Sequence, residues 1–198
     1  MRTEIYDAVR ANNFSFLLEL GDAIAPHANI CLAEAANQGR LEICKWVHAK
    51  FGPVAKNTYS IALRLAAAEG HLNVCQWLHA TFNLTAADVR ANGNYAIGAA
   101  AANGHLPVCR WLYATFHLTE EDVRCNENRG MLLIAVQYGH LDACKWIHAT
   151  CNLAAADWAS YAEEATTDVA AWIRGLALRE LAAKLTALAD ALTAAVSA

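Results

Sequence analysis

The sequence predicts an all-α fold, a helical repeat solenoid of about five to six units that ends in a C-terminal heptad-patterned helix. Three observations carry that prediction. A Gly-x-Leu element recurs at Gly39, Gly70, Gly104 and Gly139, spaced 31, 34 and 35 residues apart. On both sides of each glycine the apolar residues fall at helical spacing. After the last copy, from Leu176 onward, there is no glycine, proline or aromatic residue. There Leu178, Leu181, Leu185, Leu188 and Leu192 alternate at intervals of three and four, continued by Ala195, which is a heptad seam.

Two copies are nearly verbatim, "GHLNVCQWLHATFNLTAADVR" from Gly70 and "GHLPVCRWLYATFHLTEEDVR" from Gly104. Five residues after each glycine stands Cys44, Cys75, Cys109 or Cys144, and seven after it Trp46, Trp77, Trp111 or Trp146. Nine after it comes His48, His79, Tyr113 or His148. Each unit reads as two helices. An alanine-rich first helix such as "YAIGAAAAN" stops at a glycine able to turn left-handed. A second helix then starts, with Pro107 in its first turn, where an N–H has no intrahelical partner.

On that second helix Leu72, Cys75, His79 and Phe82 form one stripe, and Val74, Trp77 and Leu78 extend it nearly all round. Such a helix must be covered on several sides, and the equivalent helix of the next unit supplies the cover. One unit alone is not expected to fold. Ala66, Ala67, Ala99, Ala100 and Ala101 on the first helices permit close stacking. Thr85 with Asp88, and Thr119 with Asp122, have capping-box spacing and predict a short helical turn in each connector.

The form "(L/I)xxAAxxGHLxVCxWL" resembles the ankyrin repeat, and the Cys-x-Trp-Leu-His wording looks like divergent ankyrin proteins of protists and their large DNA viruses. The resemblance is strong over roughly Asn29 to Leu153. Weaker copies flank it, at Ala8 to Leu20 and at "EEATTDVAAWIRG", which places Trp172 in the tryptophan column. Residues 1–175 are thus expected to form the array, with clear repeats about 29–156 and degenerate end units at 1–28 and 157–175. Residues 176–198 form an amphipathic helix that serves as cap or oligomerisation element.

Where an ankyrin unit opens its first helix with Thr-Pro-Leu-His, this chain has Ile61-Ala62-Leu63-Arg64, Tyr95-Ala96-Ile97-Gly98 and Gly130-Met131-Leu132-Leu133. The hydrogen bonds of that threonine and histidine are therefore absent, and regular hairpin fingers are not implied. What the resemblance does imply is a protein partner, of unknown identity, held on the inner surface. The contact positions carry over to Asn37, Gln38, Glu69, Asn103, Gln137 and Tyr138, with Asn94 and Arg129 at the openings of first helices.

Other function classes are disfavoured. With 15 basic against 19 acidic residues the net charge is −4, no footprint for nucleic acid or an anionic membrane. Neither a signal-peptide core nor a charge-free span is present: the alanine-rich tail carries Arg179, Glu180, Lys184 and Asp190. Seven cysteines, four of them in the repeat, suit reduced, packed thiols and a cytoplasmic setting. Asn13-Phe14-Ser15 and Asn83-Leu84-Thr85 then read as accidental glycosylation triplets.

Cys44 with His48, Cys75 with His79 and Cys144 with His148 could each offer two ligands, but zinc needs four and Tyr113 interrupts the series. No metal, cofactor or enzymatic activity is expected, since no nucleophile motif or phosphate-binding glycine loop is present. The column tryptophans read as packing, with Trp158 outside the column. The leucine seam has two readings: a cap folded back on the last repeat, or a helix that pairs with its own copy. On the second reading the chain is a self-assembling building block, and the regularity of its tail is also what an engineered segment would show.

Overall fold

A computed structural model describes residues 1–52, 56–124 and 129–196, with the side chains of residues 56, 91, 92, 124, 129–131 and 196 outside the described set. The helices are α1 (Arg2–Arg10), α2 (Phe14–Leu20), α3 (Ala28–Asn37), α4 (Leu41–Phe51), α5 (Lys56–Ala68), α6 (Leu72–Phe82) and α7 (Ala86–Ala102). They continue with α8 (Leu106–Thr115), α9 (Glu120–Arg124), α10 (Arg129–Gln137), α11 (Leu141–Thr150), α12 (Ala155–Ala159) and α13 (Thr167–Val196). A 3-10 segment, Gly21–His27, links α2 to α3. Among the described residues there is no strand.

The first helices α1, α3, α5, α7 and α10 stack side by side in one layer. The second helices α4, α6, α8, α11 and α13 stack in another. Alanine makes the first layer tight: Ala35, Ala36, Ala62, Ala66, Ala67, Ala96 and Ala100 are wholly buried, so the backbones approach with little side chain between them.

Each first helix ends in the same device. The amides of Arg40, His71, His105 and His140 each donate at 2.8 Å to the carbonyl five residues back, on Ala35, Ala66, Ala100 and Ala135. That bond requires a left-handed residue just before it, and Gly39, Gly70, Gly104 and Gly139 have φ between +68° and +79°. The missing Cβ matters as much as the angle. A Cβ on Gly39, Gly70 or Gly104 would lie 2.5 Å from Nδ1 of His71, His105 or His140 respectively, so the histidine of each unit is seated on the glycine of the unit before. His71 Nε2 lies 3.1 Å from the Asn37 carbonyl, which locks neighbouring turns together.

The ends vary the device. Asn12, with φ +53°, takes the glycine's place in the first unit, and Arg40 Nη2 donates to the Arg10 carbonyl at 3.2 Å where a histidine would otherwise sit. At the other end Thr166 rests on Gly139.

The second layer is zipped by its aromatic column. His48 meets Trp77 edge-on at 6.2 Å, His79 meets Trp111 at 6.0 Å, Tyr113 meets Trp146 at 5.9 Å and His148 meets Trp172 at 5.6 Å. A tyrosine serves there because the neighbour needs an aromatic edge and not an imidazole nitrogen. His79 Nδ1 also lies 3.2 Å from the Leu84 carbonyl and so fastens the connector. Cys44, Cys75, Cys109 and Cys144 are wholly buried beneath this column, and desolvation pushes their thiols up to about 12.

Both capping boxes form. Thr85 N–H donates to Asp88 Oδ2 at 2.9 Å and Thr119 N–H to Asp122 Oδ2 at 2.7 Å. In the fourth unit the connector turn runs on into the first helix as α7, where Gly93 and Asn94 both have positive φ and redirect the chain between the two parts. Trp158 on α12 stands five residues after Leu153, as Val89 stands after Leu84. Both residues are wholly buried, and Trp158 packs edge-on against Trp172 at 4.9 Å.

The 175/176 boundary falls inside α13, which passes through Gly175 without a break. Val169, Ala170, Ile173 and Leu176 are buried in the stack. Glu180 accepts the Ala155 amide at 2.7 Å, and from Leu181 to Ala195 every residue is exposed. The seam leucines are 54–67% exposed, so the helix does not fold back on the last repeat but runs out as a continuation of it. At 1.5 Å per residue the part beyond Leu176 is about 30 Å long.

Candidate functional site: the open face of the first-helix layer

The first helices bury one side on the second layer and leave the other side open. Residues at equal distances before the repeat glycines form columns across that open face. Nine before stand Ile61 and Tyr95, five before Glu34, Leu65, Ala99 and Ile134, and two before Asn37, Ala68, Ala102 and Gln137. Directly before the glycines stand Gln38, Glu69, Asn103 and Tyr138.

The face changes character along the stack. At the amino end Glu34, buried despite its charge, accepts Arg10 Nε at 2.8 Å and Gln38 Nε2 at 3.2 Å, so these polar groups satisfy one another. Toward the carboxyl end the face is apolar and open. Tyr95 is 41% exposed, Ile134 37% and Tyr138 73%. Apart from Met1, Leu18 and the tail leucines, these are the large apolar residues exposed among those described, and all three stand on or just after a first helix.

The expected contact residues divide accordingly. Glu69 and Tyr138 stand open on the face, and Tyr138 stacks over His140 with ring centres 6.4 Å apart. Gln137 is exposed and donates to Glu164. Asn103 is exposed, but its amide donates to the Ala68 carbonyl at 2.7 Å, tying its unit to the preceding one. Asn37 and Gln38 are half-buried, the first lending its carbonyl to His71.

Asn94 is not on the open face. It is 7% exposed, and its amide lies 3.5 Å from Asp122. There the carboxylate takes a two-pronged bond from Arg90 at 2.8 and 2.9 Å, which draws the third and fourth connectors together. That guanidinium, with the Thr119 backbone and hydroxyl, holds the Asp122 carboxyl well below the usual carboxylate range. The Arg129 side chain lies outside the described residues.

Three contributors to the face were not singled out from sequence: Arg64, Tyr95 and Ile134. The column nine or five before the glycine is the signal that could have found Tyr95 and Ile134, because an apolar residue there has no second layer to cover it, whereas Arg64, six before Gly70, stands outside both columns. Among the described residues no group of three or more His, Cys, Asp or Glu is placed to hold a metal ion, and no helix is long and apolar enough to cross a membrane.

Helical pairs that repeat every 31 to 35 residues, interlock through glycine and histidine, and leave one helix layer open define a solenoid scaffold. Residues 63–157 match the family of ankyrin repeats in three copies, and the all-helical stack is consistent with an ankyrin-repeat protein. Ankyrin repeats are general protein–protein interaction modules. No curated protein matches the chain.

Proposed function

We propose that the protein is a non-catalytic binding module that holds a protein partner across the open face of α5, α7 and α10. One observation carries this reading. Among the described residues, and apart from Met1, Leu18 on α2 and the tail of α13, the array exposes its large apolar side chains on this face. Solvent-facing apolar groups clustered on one face cost free energy unless another surface covers them. Glu69 and Gln137 would supply the polar rim of such an interface.

A photo-crosslinking amino acid at Tyr138, compared with one at the exposed outer-layer position Arg110, tests the reading in extract of the native cells. A discrete adduct from position 138 and none from 110 is expected. Adducts from 110 alone would reject it.

A second reading, self-assembly through α13, is favoured by the exposed seam of Leu178, Leu181, Leu185, Leu188 and Leu192. A parallel or antiparallel pairing of two such helices would bury it. Light scattering decides: loss of residues 176–198 converts an oligomer to a monomer, whereas an unchanged mass per particle, apart from the missing tail, removes this reading.

A further inference from the structure

The arginines of the array that pack against neighbouring units are engaged, with one exception. Arg10 bonds Glu34, Arg40 bonds the Arg10 carbonyl and Arg90 grips Asp122. Arg64, half-buried on α5, differs. Its guanidinium carbon is held 5.7 Å from the ring centre of Tyr95 on the next first helix. Its Nε, like that of Arg40, is buried without a hydrogen-bond partner, but unlike Arg40 it makes no hydrogen bond or ion pair with a described residue through its terminal nitrogens either.

A guanidinium held over an aromatic ring keeps terminal N–H groups that can receive a carboxylate in two parallel bonds. The cation therefore sits fixed, partly desolvated and unmatched at the edge of the apolar strip. Beside it, Ala99 is a low point on the face between Leu65 and Ile134 of the flanking helices, since it occupies their column with a side chain of one carbon.

We propose that this face takes an extended acidic segment of a protein partner, with a carboxylate on Arg64 and an apolar side chain over Ala99 between Tyr95 and Ile134. The proposal rests on the binding reading above and supplies the chemistry of the partner. Its spacing follows from the stack. Adjacent helix axes lie about 8–10 Å apart. An extended chain in the polyproline II conformation rises about 3.1 Å per residue and returns to the same face every third residue. The acidic residue and the apolar anchor are thus about three positions apart in the bound segment, with Tyr138 available to a further apolar group.

Selection of random linear peptides on the purified full-length chain tests this, followed by affinities of individual labelled peptides by fluorescence polarisation. Enriched peptides should carry Asp or Glu about three positions from Phe, Leu or Ile. Arg64→Glu should weaken them about tenfold or more, the effect of losing a hydrogen bond to a charged group. Arg64→Lys should weaken them less, and replacing the peptide's acid by Lys should recover binding to Arg64→Glu. Arg64→Gln serves if the reversed charge disturbs folding by circular dichroism.

Enriched peptides without an acid, or affinities indifferent to Arg64→Glu and Arg64→Gln, overturn the proposal. If those same peptides are lost on combining Ile134→Ser with Tyr138→Ala, the open face remains a binding surface and only its acidic ligand is wrong. If no peptide is enriched, or neither set of substitutions matters, both readings fail.

Discussion

Gly70→Ala is the sharpest test of how the repeats are joined. Gly70 has φ +79°, and an added Cβ would stand 2.5 Å from His105 Nδ1 and 2.8 Å from two of its ring carbons. The left-handed backbone alone costs a residue with a Cβ about 1–2 kcal/mol. Forcing the ring off its seat adds about 1–3 kcal/mol of overpacking. The sum is about 2–5 kcal/mol, a large share of the stability of an ordinary domain.

Gly52→Ala is a control for space alone, because nothing lies within 4 Å of the added Cβ, although its backbone at φ +70°, ψ −157° is one that glycine alone adopts readily. It should lose only the backbone cost. Pairing Gly70→Ala with His105→Ala should then recover about 1–3 kcal/mol relative to the sum of the single changes, the signature of two groups in contact. Urea unfolding followed by far-UV circular dichroism and tryptophan fluorescence measures all four, provided the two probes coincide and m is unchanged. Simple additivity with His105→Ala would refute the glycine–histidine interlock.

Further outcomes follow from the connectors, the last unit and the buried thiols. Asp122 has a folded pKa below its unfolded value, so its contribution is complete above about pH 4 and is lost as pH falls toward the folded value. Asp122→Asn should therefore flatten the acid limb of an unfolding-versus-pH curve, and an unaltered limb would count against the connector clamp. Trp158→Ala, at a wholly buried site, should cost about 3–5 kcal/mol and release the start of α13 first, visible as faster amide exchange in residues 167–176. The column cysteines are raised to about 12, so stability should be complete below about pH 8.5 and fall as pH rises from there toward the folded value. Maleimide should label Cys75 and Cys109 only after unfolding, and rapid native-state labelling would contradict their burial.

Much of this molecule was legible in the letters. The recurrence of Gly39, Gly70, Gly104 and Gly139 located the helix stops, and the Cys-x-Trp spacing located the buried column. Threonine and aspartate three apart located two connector turns. The histidines after the glycines were legible as structural but not as to what they touch, since each rests on a glycine 32 to 36 residues away. The contact residues were less legible. Asn94 and Asn103 look like solvated polar residues in a sequence, yet one is buried beside Asp122 and the other bonds the preceding repeat.

Sequence alone determined the helices, their stops and the layered core, because those depend on apolar periodicity within a few turns and on copies that must cover one another. The tertiary arrangement decided which polar groups are already engaged, that Arg64 lies over Tyr95 without an acid, and that the leucine helix runs out instead of folding back. Those outcomes rest on contacts between neighbouring units, and a side chain is written with the same letter whether it has found a partner there or still presents its charge to solvent.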